Sequence, residues 1–456
     1  MDTQEILNKI NENYLANISI GNTQEIINFN TSIASQSLNL MGLIVSETGD
    51  LDKAIYYFRV ATNIQPEYHV PWSNLSHIFH KMKRYEEAYD CILKSLKICN
   101  YTECQSLINA AVILISLKRY DEARDLYEKA LILEPENFDL KLYHSNLLLR
   151  QGNLVKGFAA YENRYKSSTA EIARQCRDRF TVPTWDGLDA KDKTVLLYNE
   201  QGIGDFIMFS RFLPKVKNKV GRIVCEVQES LKHILYNFTS VDDWVLRPDE
   251  GFCEPAPSDL CASICSLPYL LNIKDLSELK CDPYIKPCLR FSKPIISKKK
   301  KIGLCWYGNK KNSRDHFRSI PLDYYKLLLG CPNVEFYGLN WKNGGKRIWH
   351  GKEIDLNDGF DDFPFIDLGQ HIKNFGDLSY FLSELDLVIS VDTAIVHMAG
   401  AMGVPCWVIL NDNVDWRWFC NSETTPWYKS LKIFSGDDSW ESILLNVKQE
   451  LFKFFS

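Results

Sequence analysis

The chain has 456 residues, 45% of them hydrophobic and 24% charged, which is material for two or three globular domains with cores of their own. Its formal net charge of -5 gives no reason to expect a nucleic-acid partner, and the basic run Ser297-Lys298-Lys299-Lys300-Lys301 reads as a solvated linker end. No apolar run is long enough for a transmembrane helix, and the start Met1-Asp2-Thr3-Gln4-Glu5 is acidic where a signal peptide would be basic, so a cytoplasmic protein without a membrane span is expected.

In chain order, residues 1–34 read as a helical cap and residues 35–168 as a repeat array. Gly42, Ala54, Phe58, Ala61 and Pro66 fit one tetratricopeptide frame, and Trp72, Leu75, Phe79 and Ala88 fit the next. Ala54 and Ala88 lie 34 residues apart, the period of that repeat. Ala123, Tyr127, Ala130 and Pro135 make a third unit, and the segment from Phe138 to Arg164, with Gly157-Phe158-Ala159-Ala160-Tyr161-Glu162, a fourth. Small residues at these places let paired helices cross closely, aromatics fill the adjoining gap, and the prolines end a helix. Such an array offers a concave surface to a protein or peptide, or else braces the domain that follows it. No Gly/Ser/Pro-rich stretch separates it from the next segment, so a rigid junction through residues 158–165 is expected.

After residue 180 the pattern changes to short apolar runs alternating with helical ones. Residues 194–198 read as a strand, Glu200-Gln201-Gly202-Ile203-Gly204-Asp205 as a polar glycine turn, and 206–213 as an amphipathic helix. Residues 222–227, 244–246 and 260–264 are further strands, and 282–294 is the best linker. A second alternating unit follows, with strands at 302–307, 334–337 and 365–368 and helices at 322–329 and 378–385. The apolar run 387–391 then ends at Asp392-Thr393-Ala394 and enters a helix whose Val396, Ala399, Gly400 and Gly403 form a small-residue face against a sheet. This alternation implies two doubly wound parallel domains, 180–290 and 300–436, followed by a C-terminal helix in 437–456, with a cleft between the carboxyl ends of their strands. Cys91, Cys225, Cys305 and Cys406 fall inside apolar runs, and none of the 14 cysteines makes a Cys-x-x-Cys pair, so reduced core thiols are expected.

The start of the helix after Thr393 carries backbone donors and a positive dipole end, which suits a diphosphate. The alternative is an ordinary strand-to-helix turn capped by Asp392 or Thr393.

Five blocks occur in a fixed order. They are Asn199-Glu200-Gln201-Gly202-Ile203-Gly204-Asp205 with Phe209, Arg211 and Pro214; Gly303-Leu304-Cys305-Trp306-Tyr307-Gly308-Asn309 with Arg318-Ser319-Ile320-Pro321-Leu322; Asp386-Leu387-Val388-Ile389-Ser390-Val391-Asp392-Thr393; Asp415-Trp416-Arg417-Trp418; and Pro426-Trp427-Tyr428. Together they resemble the tetratricopeptide-repeat glycosyltransferases related to the bacterial heptosyltransferases, glycosyltransferase family 9. The resemblance covers nearly the whole chain, including Gly157 with Tyr161-Glu162 and Arg164 at the family's junction between repeats and catalytic domain. It implies the two-domain GT-B fold, a nucleotide-sugar donor held by the C-terminal domain, and transfer with inversion. The stretch from Tyr337 through Trp341 and Gly344-Gly345 to Phe365 departs from the family's pattern, which leaves the base and sugar of the donor open.

Inverting transfer needs a general base on the acceptor hydroxyl and stabilisation of the departing nucleoside diphosphate. Asp205 matches the family's Gly-Asp position and is the expected base; without that match it reads as a plain helix cap. Gly202 and Gly204 let the backbone approach a ligand. The donor is expected at Asn309, Arg318, Asp392, Thr393, Ala394 and His397, with Arg318 as the fixed cation and Lys311 and Arg314 as alternatives. A histidine on an apolar helix face is otherwise a core residue. No metal is expected, because the one Asp-x-Asp triplet, Asp50-Leu51-Asp52, lies in a repeat turn. No cofactor is expected either, the nucleotide-sugar being a substrate. Trp416, Arg417, Trp418, Trp427 and Tyr428 either stack on a sugar or base or fasten the C-terminal helix across the domains. The expected protein is thus an inverting, metal-independent glycosyltransferase with a glycan or polypeptide acceptor and a possible protein partner in the repeat groove. The alternatives are a protein O-glycosyltransferase similar to the O-GlcNAc transferases, using a uridine-diphosphate sugar and recruiting its polypeptide through the repeats, and a catalytically silent repeat scaffold.

Overall fold

The computed structural model describes residues 23–289, 295–312, 315–340, 346–349, 352–411, 415–420, 422–436 and 439–455. Residues 1–22 of the expected cap, Arg314, and Trp341 to Gly345 lie outside the described residues. The chain divides into two compact units, residues 1–140 and 141–456.

The first unit is helical. Its helices are α1 (Thr23–Glu47), α2 (Leu51–Ile64), α3 (His69–Lys81), α4 (Tyr85–Ile98), α5 (Cys104–Ser116) and α6 (Tyr120–Leu133). Residues 23–34, assigned to a cap, are continuous with the first repeat helix. The small-residue spacing does what the sequence requires of it: Ala54, Phe58, Ala61, Leu75, Phe79, Ala88, Ala123, Tyr127 and Ala130 are all buried. Gly42 lies flat against Phe58, where an added Cβ would come within 2.5 Å of the ring. Trp72 differs from its neighbours in the frame. It is half-exposed, its Nε1 donating to the Pro66 carbonyl at 3.1 Å and the Lys94 ammonium standing 4.3 Å over its ring. The starts of α2 and α5 are capped by side chains: Asp50 accepts from the Lys53 N–H and Glu103 from those of Gln105 and Ser106. Along the first helices of successive pairs, Asn74 donates to Asn39 at 2.7 Å and Asn109 to Ser73 at 3.3 Å.

The unit boundary falls inside α7 (Phe138–Arg150), and α8 (Leu154–Tyr161) groups with the sheets. A 3-10 turn, Glu162–Tyr165, and α9 (Glu171–Asp178) lead to the first sheet. That sheet is built from β1 (Ala190–Tyr198), β2 (Val220–Gln228), β3 (Asp243–Arg247) and β4 (Leu260–Ser263), all parallel, in the order β3-β2-β1-β4. The second sheet has seven strands. From one edge to the other they are β12 (Thr424–Thr425), β13 (Tyr428–Ser435), β11 (Cys406–Leu410), β10 (Leu387–Val391), β5 (Lys300–Cys305), β6 (Val334–Gly338) and β9 (Phe365–Asp367). All pair in parallel except the β12–β13 hairpin. A separate hairpin, β7 (Lys346–Trp349) with β8 (Lys352–Asp355), interrupts the passage from β6 to β9.

Both sheets start with a central strand, grow to one side, then return to the other side of the first. They reverse between β1 and β4 and between β5 and β10, so each has a topological switch point at its carboxyl edge. One core runs between the sheets, from Val195 and Leu197 to Val388 and Val408. The helix α13 (Trp440–Phe454) packs Ile443, Leu444, Val447 and Leu451 with Ile302, Leu304 and Ile409 in a separate core. The aromatic cluster Trp416, Trp418, Trp427 and Tyr428 belongs to the core between the sheets, so it does not fasten α13. Two helices are shorter than expected. The one over 322–329 is a 3-10 helix, Leu322–Leu328, and the one over 206–213 begins at Ile203 and ends at Phe209, with Pro214 at the start of a further turn. The helix expected over 378–385 is α11 (Phe375–Ser383). Within the expected linker, Tyr284 and Ile285 pack down, both donating to the Ala401 carbonyl.

Candidate functional site

At the switch point of the second sheet, β10 is five buried residues long and ends at half-buried Asp392. Thr393 takes an extended conformation and caps α12 (Ala394–Met402), its Oγ1 accepting from the Ile395 N–H at 3.3 Å. Gly403 closes that helix at φ +74, where a Cβ would be strained. From the neighbouring strand β5, the loop through Gly308 lies under Arg318: a Cβ on Gly308 would meet Nη2 at 2.5 Å. Arg318 donates from Nη1 to the Asp392 carbonyl at 2.9 Å and from Nε to Asp315 at 3.2 Å. Its position over the end of β10 therefore comes from two strands adjacent at the switch point. Asn309 is exposed, and its side chain accepts from the Lys311 N–H at 3.0 Å, holding the turn. Lys311 reaches the loop after β3, where its ammonium meets Glu250 at 2.5 Å. Desolvation, and then the Asp415 carboxylate, raise the Asp392 carboxyl above its ordinary range, while Arg318 opposes them.

The first sheet presents its own turn. After β1, the Asn199 amide donates to the Gln201 and Gly202 carbonyls, and α10 (Ile203–Phe209) starts at Gly202. The Gly202 N–H donates to Asp205 Oδ2 at 3.1 Å, so Asp205 does serve the helix start. Beneath the turn, Glu200 is buried against Arg164 at 2.5 Å; Arg164 also donates to Glu162, Tyr165 and Ser266. Burial pushes the Glu200 carboxyl up, against the pull of Arg164.

The two turns meet. An added Cβ on Gly204 would lie 2.7 Å from His397 Cδ2 and 3.4 Å from Ala394 Cα, so only glycine lets α10 and α12 approach this closely. Gly202, Gly204, Asp205, Ala394 and His397 thus share one place, with Thr393, Asp392 and Arg318 on the adjoining edge. His397 has the surroundings of a core residue: it is 5% exposed, stacked on Trp418 at 5.3 Å between centroids, with Nδ1 3.1 Å from the Tyr428 hydroxyl. Burial, reinforced by Arg417 and Arg211, holds its imidazole down at about 3, so it is neutral at physiological pH.

Two arginines outside the expected set of catalytic and donor-binding residues lie beside it. Arg417 bonds Asp205 Oδ1 from Nε at 2.8 Å and from Nη2 at 2.6 Å, and bonds Asp415 from Nη1 at 2.8 Å. Arg211, buried at 9% exposure, donates to the Leu279 and Trp427 carbonyls and faces the Tyr284, Trp427 and Tyr428 rings. The Asp415-Trp416-Arg417-Trp418 block was visible in the sequence; its pairing with Asp205 depends on the folding together of two distant segments.

The family model described as tetratricopeptide repeat matches residues 69–133, and the helix pairs α3–α4 and α5–α6 are repeats of this kind. Among curated proteins, the chain is 22% identical over 457 residues to the protein FlbA of Caulobacter vibrioides, an alignment covering 91% of this chain and 72% of FlbA. Among solved structures, it is similar to the Arabidopsis OM64 tetratricopeptide domain, at 21% identity over 26% of this chain and 96% of that one, with a TM-score of 0.25. It is likewise similar to the first such domain of Spaghetti (RPAP3) bound to an HSP90 peptide, at 21% identity over 25% and 94%, with a TM-score of 0.25. No helix among the described residues is long and apolar enough to cross a membrane.

Proposed function

We propose that the chain is an inverting, metal-independent glycosyltransferase of the GT-B type, in which Asp205 is the general base and the edge formed by Asn309, Arg318, Asp392, Thr393, Ala394 and His397 receives the nucleotide-sugar. The observation that carries this is the meeting of the turns that follow β1 and β10: a Cβ on Gly204, next to Asp205, would lie 3.4 Å from Ala394 Cα at the start of α12. A carboxylate on one side and a cation with a helix start on the other are what proton removal from an acceptor and departure of a diphosphate require. Neutral His397 is a hydrogen-bond partner, not a cation, for anything bound beside it. The acceptor is a glycan or a polypeptide. In the latter case the repeats recruit it.

Asp205→Asn keeps shape and removes the proton acceptor, so turnover is expected to fall about 10²–10⁴-fold with little change in donor affinity. Initial rates and donor dissociation constants on the same variant check this, with the donor chosen by thermal shift from adenosine-, uridine-, guanosine- and thymidine-diphosphate sugars. One observation favours the second reading, a silent repeat scaffold: Gly204 and His397 touch, so the turns must part before anything enters between them. Stabilisation by none of these nucleotides would leave the scaffold as the better account.

A further inference from the structure

Resting on the assignment of Asp205 as base, we propose that Arg417 is its positioning residue, fixing which carboxylate oxygen takes the acceptor's proton. A carboxylate offers about four acceptor positions, two on each oxygen. Arg417 occupies both on Oδ1, through Nε at 2.8 Å and Nη2 at 2.6 Å. The Gly202 N–H takes one on Oδ2 at 3.1 Å. A single lone pair of Oδ2 is left for a hydroxyl. Without Arg417, only the Gly202 N–H orients the carboxylate, and Oδ1 is opened to a hydroxyl as well.

Arg417 is itself held on every side. Its third nitrogen bonds Asp415 at 2.8 Å, and its carbonyl accepts from Trp427 Nε1 at 2.8 Å. Its guanidinium lies 4.5 Å over the Trp416 ring, which is wedged edge-on against Phe158 of α8. Arg417 and Asp205 have side-chain exposures of 14% and 15%, so the pair is shielded but reachable. A planar fork that serves two carboxylates at once is an arginine geometry that lysine cannot copy. The pair also joins the block following β11 to the turn following β1, so the base is aligned only when the two sheets are together.

The test is a double-mutant cycle on release of nucleoside diphosphate, with water as acceptor, from the nucleotide-sugar selected by thermal shift. Arg417→Gln is expected to lower kcat at least tenfold while the donor KM stays within twofold. In the Asp205→Asn background the same change is expected to cost less than twofold, because its route of action is already gone; Arg417→Lys should fall between wild type and Arg417→Gln. Additive losses, an unchanged kcat, or a raised KM at constant kcat would each overturn the inference, the last by making Arg417 a donor ligand. Should Arg417→Gln not fold, Arg417→Lys carries the same cycle. A near-normal rate in Asp205→Asn alone would remove the base assignment and this inference together; a damaged Asp205→Asn with additive Arg417→Gln removes only this one.

Discussion

At the scale of single residues, the expected donor edge sets a guanidinium beside a histidine whose proton affinity is strongly displaced. Arg318 donates to Asp315 and to the Asp392 carbonyl and is the cation proposed for the diphosphate, so Arg318→Ala is expected to weaken nucleotide binding by about 1.5–3 kcal/mol, the range for a charge-assisted bond. Calorimetric titration with and without EDTA checks both that loss and independence from metal; a strict magnesium requirement would sink the mechanism. His397 is a different case. The folded protein holds it neutral down to about 3, whereas the unfolded chain titrates near 6.5. Between those values the unfolded state binds more protons, so stability falls as pH drops through that window. Unfolding free energy measured against pH should show that slope, and His397→Gln should make it shallower; an unchanged slope would mean that other groups carry it.

At the scale of elements, glycines set how closely helices approach. Gly157 brings α8 against α7, where an added Cβ would lie 2.7 Å from Leu149 Cδ2 and 3.1 Å from the Leu149 nitrogen. Alanine gains up to about 1 kcal/mol of helix propensity, but overpacking costs about 1–3 kcal/mol, and a backbone nitrogen has little room to give. Gly157→Ala is therefore expected to destabilise the second unit, read as a lower urea midpoint; a raised midpoint would show that the helices separate cheaply. The same logic at Gly204 explains why the glycine turn matters whatever its chemistry.

At the scale of the whole molecule, α8 and the turn that follows it are built into the sheet-bearing unit. Phe158 and Tyr161 face Trp416, Arg164 is 1% exposed, and Phe180 and Trp185 are buried. A protease is expected to spare residues 150–185, and rapid cutting there with two stable fragments would contradict this. The division at Leu140 accordingly places the fourth helix pair's second helix with the sheets. Its repeat-like Gly157-Phe158 pattern serves a local helix crossing, which looks the same in sequence whichever unit receives it.

The sequence by itself determined whatever depends on local period and residue type. The 34-residue spacing yields helix pairs with Ala54, Phe58 and Ala88 inside, and the apolar runs at 194–198 and 387–391 yield buried strands, because burial of one face follows directly from periodicity. It placed both turns, at Gly202 to Asp205 and at Asp392 to Ala394, at the ends of strands. Tertiary structure alone decided strand order, the neutral state of His397, and the seating of Arg417 on Asp205. These arise from segments far apart in the chain meeting in a low-dielectric interior, where the energy of a charge depends on neighbours that no local pattern encodes.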